Sequence, residues 1–522
     1  MPMPTSRRRR LLLWLSGTVF AVTACSSDPA LTSSAKADTA DGMGGMGGMD
    51  MSYVDSTTGD IPPFDGMTIT PKLPGTLWIP PALTAKSFNL NLAKTTKQLR
   101  TGAATATYGY NGADFWGPTL IMKKGDHVKL YVTNNLAADT TTHWHGLHLP
   151  AAMDGGPHQV IAPGATWSPE FDVMNHAALF WYHPHMHEHT KEQLAYGAGG
   201  FILIQDDEEA KLALPRTYGV DDIPIVFSSR RFTTDNQFDL TGEYGDYLMA
   251  NGIIDATTTL PAQVVRLRLL NAETERSYMV GFADGRTFQL IGNDGGLLDA
   301  PVPLQKLMLS AGERVEILLD LSKDAPGATL AMQAFNGGFS LGFPGGEPAT
   351  SGQFGSLLNN KTFDMLKITV GAATTGAVTT IPATLVKNTY WTAADATNSR
   401  TLKVTDKGPG TPFTFDNASY NMDTINQTVA LNAIEKWTIT NDQVFGHVFH
   451  IHDVQFKIVS RSSGKIDAWE QGWKDTVFLP INESVSLVAK FDDFASATDP
   501  YMYHCHMANH EDGGLMGQFL VK

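Results

Sequence analysis

Apolar and polar positions alternate in short runs along most of the chain, and one such run occurs three times. Leu130-Tyr131-Val132-Thr133-Asn134, Leu267-Arg268-Leu269-Leu270-Asn271 and Trp437-Thr438-Ile439-Thr440-Asn441 share an apolar-x-apolar-x-Asn pattern. Residues i and i+2 of a strand face one side, so each run predicts a half-buried strand. A turn and a second strand signal follow each copy: Pro163-Gly164 before 165–171, Ala311-Gly312 before 313–319, and 480–482 before 483–491. The first and third copies then reach a Tyr-His-x-His sequence, at Tyr182 to His185 and Tyr503 to His506, and the middle copy has none. Helical periodicity is weak. The pattern predicts an all-β chain of three β-sandwich domains over residues 76–207, 215–372 and 380–522.

Composition agrees. The 522 residues fit about three domains of ~150 residues. The 49 Gly and 28 Pro supply turns for many short strands, and 42% hydrophobic against 17% charged residues exclude wholesale disorder. The net charge of −15 argues against nucleic acid or an anionic membrane surface as the main partner. Removing Arg7 to Arg10 with a leader makes the rest more acidic still. The two cysteines, Cys25 and Cys505, exclude a disulfide scaffold.

The N-terminus predicts export. Arg7 to Arg10 precede the apolar stretch Leu11 to Ala24, which is too short to span a bilayer and suits a signal peptide over residues 1–25. Val22-Thr23-Ala24-Cys25 resembles a bacterial lipobox, which would place a lipid on Cys25; the alternative is a plain signal with an incidental cysteine. Ser6-Arg7-Arg8 leaves twin-arginine export open beside the general route. A periplasmic or cell-envelope protein, lipid-anchored, is expected. Residues 26–75 predict a flexible linker. Within it, Asp41 to Ser52 holds Met43, Met46, Met49 and Met51, which is either a low-complexity tether or a soft-sulfur site for Cu(I).

The histidines carry the chemistry. All 16 fall within 76–207 or 380–522, and they form six His-x-His pairs, at 143/145, 183/185, 185/187, 187/189, 450/452 and 504/506. On a strand each pair would present two imidazoles on one face, half of a metal site. In an extended His504-Cys505-His506, the cysteine faces one way and both histidines the other. One strand would then serve two metal sites. Cys505 with His447 and His510 could make a His₂Cys set of the blue-copper electron-transfer kind.

Four motifs carry a resemblance: His143-Trp144-His145-Gly146, His183-Pro184-His185, His447-Val448-Phe449-His450-Ile451-His452, and His504-Cys505-His506 with His510. In this order they resemble those of the blue multicopper oxidases, three-cupredoxin-domain enzymes that include laccases and cuprous oxidases. The resemblance covers residues 76–522. Met153-Asp154-Gly155-Gly156-Pro157, Asn293-Asp294-Gly295-Gly296 and Gly472-Trp473-Lys474-Asp475-Thr476 look most similar to the bacterial cuprous-oxidase branch.

The resemblance implies three Greek-key cupredoxin domains and copper of types 1, 2 and 3. His447, Cys505 and His510 match the type 1 ligands, and His143 and His450 those of type 2. His145, His183, His185, His452, His504 and His506 match the binuclear type 3 set. The type 2 and type 3 coppers would form a trinuclear cluster between the first and third domains, reducing O₂ to water. Asp154 and Glu511 match carboxylates that serve protons beside it. Every ligand position is filled, which disfavours metal-free members that act as division or scaffold proteins.

Two departures bear on the reductant. The axial type 1 position matches Leu515, with Met516 one residue late and off-axis, a pattern similar to fungal laccases. The methionine-rich insert of cuprous oxidases is absent from 336–400, which holds only Met365, and Gln443 replaces an aspartate of that branch, with Asp442 alongside. Phenolic or aromatic reductants at an open type 1 edge are therefore expected alongside Cu(I), with O₂ as acceptor. The alternative is a copper-sequestering protein of copper resistance. Of the other histidines, His189 resembles the relic of a copper ligand, and His127, His148, His158, His176 and His187 are expected at the surface or behind ligands.

Overall fold

A computed structural model describes residues 75–522 apart from 340, 341, 351, 407 and 409. The expected leader, the lipobox and the methionine tract lie outside the described residues. Among those described, β-structure dominates, in six sheets. Two sheets lie within residues 82–205, two within 222–371 and two within 398–521. Only two short α-helices occur among the described residues, Thr190–Tyr196 and Ala508–Asp512, and none is long and apolar enough to cross a membrane.

The threefold sequence run has a structural cause. Each copy ends a central strand: His127–Asn135, Val264–Asn271 and Ala433–Asn441. Each strand pairs in parallel with the strand before it, Ser87–Lys97, Asp222–Arg230 or Asn398–Thr405. Each also pairs antiparallel with the strand signal after the turn.

The three asparagines make one hydrogen-bond pattern three times. Asn134 Nδ2 donates to the carbonyls of Ala138 and Ile161, Asn271 Nδ2 to those of Arg276 and Leu309, and Asn441 Nδ2 to those of Phe445 and Leu479. Each side-chain oxygen accepts the backbone N–H two residues on. A fully buried asparagine thus closes the turn leaving the strand and ties it to the neighbouring chain. In the third copy it fixes the loop that leads directly to His447.

The second sheet of the first and third units brings in the histidines. In the first unit, His143–His145 pairs with Ala178–His183, which pairs with Gly200–Gln205. In the third, His447–Ile451 pairs with Tyr501–Cys505, which pairs with Met516–Val521. Both helices follow a histidine strand, and Asp512 joins them: its carboxylate accepts the backbone N–H of Thr190 and Lys191 at 3.0 and 2.9 Å. Each unit has its own apolar core, around Leu130 and Phe180, Leu267 and Ile317, or Trp437 and Phe449.

Candidate metal centre

Strand register sets the first contacts. His143 stands opposite His183, and His450 opposite His504. The two sheets face each other, so eight histidines from distant segments meet in a space where none is more than 2% exposed.

Their nitrogens fall into groups. His145 Nδ1 lies 3.4 Å from His183 Nε2 and 3.2 Å from His506 Nε2. His504 Nε2 lies 3.2 Å from His185 Nε2 and 3.3 Å from His452 Nε2. Metal–imidazole bonds of about 2.0–2.1 Å at tetrahedral angles put ligand nitrogens about 3.3 Å apart. The Nε2 atoms of His143 and His450 are buried and have no hydrogen-bond partner among the described residues. Their rings lie 3.9 Å from those of His452 and His145, respectively.

The expectation that both rings of a His-x-His pair serve one site needs correcting at two pairs. His183/His185 and His504/His506 are divided between groups, whereas donor atoms of His143 and His145, and of His450 and His452, lie within 4.8 Å of one another. His183 joins His145 and His506, while His185 joins His452 and His504. Strand spacing explains this. Residues i and i+2 are about 6.6 Å apart, twice the spacing that one ion allows. The strands also end at His183, Ile451 and Cys505, so His185, His452 and His506 turn freely beyond them.

The outer ring nitrogens are anchored. His143 Nδ1 donates to the Asp154 carbonyl at 2.9 Å, His450 Nδ1 to that of Asp475 at 2.8 Å, and His183 Nδ1 to that of Pro184 at 2.9 Å. His452 Nδ1 donates to Asp154 Oδ2 at 2.6 Å. With protons on the outer nitrogens, the inner ones present lone pairs to one another. Burial pushes His185 and His506 down to about 3 and His145, His183, His450 and His452 well below their ordinary value, which holds those six imidazoles neutral. Converging lone pairs on neutral rings fit a bound cation and little else.

Two carboxylates anticipated from sequence sit behind these rings. Asp154 reaches His452 and also lies 3.3 Å from His143 Nδ1. Glu511 puts one oxygen 3.1 Å from His185 Nδ1 and the other 3.1 Å from His504 Nδ1, and it accepts Thr190 Oγ1 at 2.7 Å. Burial would raise Glu511, but the His185 and His504 imidazoles hold it well below the usual carboxylate range.

Sequence reasoning missed a third carboxylate. Asp475 Oδ1 lies 3.2 Å from His145 Nε2, which explains why His145 alone offers Nδ1 inward. Arg314 of the middle unit grips Asp475 with two contacts of 2.7 Å. Lys474 bridges Asp294 and Glu313 at 3.0 Å behind it. The phrase Gly472 to Thr476 held the signal, without a clue to a partner 161 residues away.

On the other face of the Tyr501–Cys505 strand, Cys505 Sγ lies 3.7 Å from both His447 Nδ1 and His510 Nδ1, which are 3.2 Å apart. The Val448 N–H donates to the sulfur at 3.5 Å. Burial pushes the thiol up to about 12, so the thiolate forms when a cation displaces its proton. Phe413 packs edge-on against both imidazoles. Leu515 is buried in the same core as Cys505. Met516 stands opposite His504 and packs with Met502 and Tyr420 instead.

The expected open edge is narrower than the sequence suggested. Gly342 and Phe343 lie close to the start of the His447 strand, where Gly446 N donates to the Gly342 carbonyl at 2.8 Å and Phe343 packs against Phe478. His447 is fully buried, and His510 is the half-buried ring. Met365 belongs to the middle core, Asp442 pairs with Lys403, and Gln443 donates to the Val404 carbonyl. His189 is exposed beside Glu192, far from a ligand role.

Multicopper oxidase family models match residues 91–209 and 391–522. The multicopper oxidase mco of Staphylococcus aureus is 32% identical over 445 residues, spanning 84% of this chain and 88% of the relative. The chain belongs to the multicopper oxidase family. It is a copper-dependent oxidoreductase with O₂ as acceptor, using copper of types 1, 2 and 3. The solved structure of the laccase-like multicopper oxidase CueO from Ochrobactrum sp. superposes with a TM-score of 0.76 at 31% identity, covering 85% of this chain and 100% of that one. McoA of Aquifex aeolicus superposes with 0.78 at 25% identity, covering 86% and 100%. The cell division protein FtsP of Xenorhabdus nematophila is 33% identical over 427 residues, 79% of this chain and 85% of that one.

Proposed function

We propose that this multicopper oxidase takes single electrons from phenolic or similar aromatic reductants at His447, Cys505 and His510. It passes them along the chain to the eight-histidine cluster, where O₂ becomes water. The observation that carries this reading is the two-sided strand: Cys505 faces one set of donors while its neighbours His504 and His506 join the other. Copper supplies the one-electron steps, and four electrons with four protons convert O₂ to two waters. The protein supplies the connection, the exclusion of bulk water and the protons. His143 and His450 would hold the type 2 ion. His145, His183 and His506 would hold one type 3 ion, and His185, His452 and His504 the other. Asp154 and Glu511 hold outer ring protons in place and stand where protons must arrive.

Three observations favour an organic reductant over Cu(I). Leu515, a non-coordinating side chain, is buried with Cys505. The segment close to the start of the His447 strand brings Phe339, Phe343 and Phe354 and no methionine. The Ochrobactrum relative has oxidase activity towards lignin model compounds and lignosulfonate. The complete donor set favours an oxidase over both a copper-sequestering role and the division role named for FtsP. The basic-then-apolar N-terminus supports export to the periplasm or cell envelope, with Cys25 as the lipid-bearing residue.

The test is steady-state O₂ uptake by copper-loaded protein, comparing a methoxyphenol with stabilised Cu(I). Faster uptake with the phenol is expected. Uptake driven by Cu(I) alone would overturn the substrate class, and no uptake with either would favour sequestration.

A further inference from the structure

The eight histidines are sealed from solvent, so copper needs a way in. One seam between the first and third units has the chemistry for it. Met502 lies two residues before His504 and shares its strand face, and Met516 stands directly opposite His504 on the next strand. The Met502 carbonyl accepts the backbone N–H of His452 at 2.9 Å. Both methionines therefore share the strand face of His504, and the Met502 backbone is joined to His452; His504 and His452 belong to one group of inward-facing nitrogens.

The same seam continues outward. Tyr420 Oη lies 4.0 Å from Met502 Sδ, and Met422 packs on this cluster. The His187 ring meets Tyr420 edge-on at 5.1 Å. Exposure rises along the series, from 1% and 2% at Met502 and Met516 through 9% at Tyr420 to half-buried Met422 and His187. Apolar packing would account for the methionines alone. It does not account for His187 Nδ1, a buried atom with no hydrogen-bond partner among the described residues. Such a nitrogen normally costs stability, which a transient ligand would offset. Thioether and imidazole together suit Cu(I) and bind hard cations poorly.

Resting on the eight-histidine reading, we infer that His187, Met422, Met516 and Met502 form a loading path that hands Cu(I) from the surface to the trinuclear site. The path is ligand exchange alone, with no electron transfer.

The test uses full-length copper-free protein mixed anaerobically with Cu(I) as its acetonitrile complex. Samples are quenched with a chelator at intervals and then exposed to air. Filling is read from the type 2 EPR signal and the type 3 near-ultraviolet absorption, and the blue type 1 band serves as an internal control of folding. The triple variant Met422→Leu/Met502→Leu/Met516→Leu keeps side-chain volume. It and His187→Ala are expected to fill the trinuclear site about tenfold more slowly or worse, while type 1 filling and final copper content match wild type. Cu(II) is expected to load both variants at the wild-type rate. Wild-type filling with Cu(I), or equal slowing with both oxidation states, would overturn the path. Wild-type protein that never develops type 2 and type 3 signals would overturn the eight-histidine reading, and the path with it.

Discussion

Arg314, in a unit that contributes no histidine to the cluster, holds Asp475 through two 2.7 Å contacts, and Asp475 orients the ring of His145. The middle unit is thus a brace for a site built by its neighbours. Its charge network is fully buried, so breaking one partner strands the other. Arg314→Ala is expected to destabilise the protein by about 3–5 kcal/mol. Arg314→Lys keeps the charge, loses the two-pronged geometry and should fall between. Chemical denaturation of the three proteins checks the order. Equal stability of Arg314→Ala and wild type would remove the brace.

Glu511 touches both His185 and His504 from behind, and Thr190 fixes it. Glu511→Gln keeps the shape and removes the charge. Reoxidation of the reduced enzyme by O₂ should slow by about 10²-fold or more, while reduction of the type 1 centre by phenol keeps its rate. Stopped-flow spectroscopy separates the two steps. Unchanged reoxidation would take Glu511 out of proton delivery.

Leu515 shares a core with Cys505 and offers no donor atom. Leu515→Met would add a weak axial thioether, and the type 1 potential should fall. A redox titration of the blue band reads this directly, and an unchanged or higher potential would place the side chain off the axis.

His148 joins the first and third units, with Nδ1 2.7 Å from Asp453 and Nε2 3.1 Å from Asp493. Burial alone would lower its pKa, but Asp453 and Asp493 outweigh this and lift it to about 9. The folded value thus lies above the ordinary 6.5. The stabilisation from this shift is present near pH 6.5 and is lost as pH rises through 9; at the acid end, burial raises Asp453 to about 6, and its protonation weakens the pair below that pH. His148→Gln should cost about 1–3 kcal/mol at pH 6.5 and far less at pH 10. Melting curves across that range check the narrowing, and a gap that stays constant with pH would rule out the ionic origin.

Much of this site was legible in the sequence because its donors cluster in short motifs and strand parity is strict. Parity placed Cys505 opposite His504 and His506, and kept Met516 away from Cys505. The repeated Asn134, Asn271 and Asn441 revealed the three units before their buried clamps were visible. Parity failed where strands end. His185 and His506 stand just beyond strand termini, and each joins a different group of nitrogens from its strand neighbour. Long-range partners left no local trace. Arg314 and Asp475 are ordinary charged residues until folding buries them together, and Met422 and Met502 drew no notice outside the seam. The segment 336–360 could be searched for methionine, but sequence could not show that its Phe343 lies close to the start of the His447 strand.

Cys505 is the proposed electron link between the two centres. The decisive measurement is O₂ uptake with a methoxyphenol by copper-loaded Cys505→Ser, alongside its EPR spectrum. The variant should lose the blue type 1 signal, keep the type 2 signal, and fall in turnover by about 10³-fold or more. Turnover near wild type with the type 1 signal gone would contradict it.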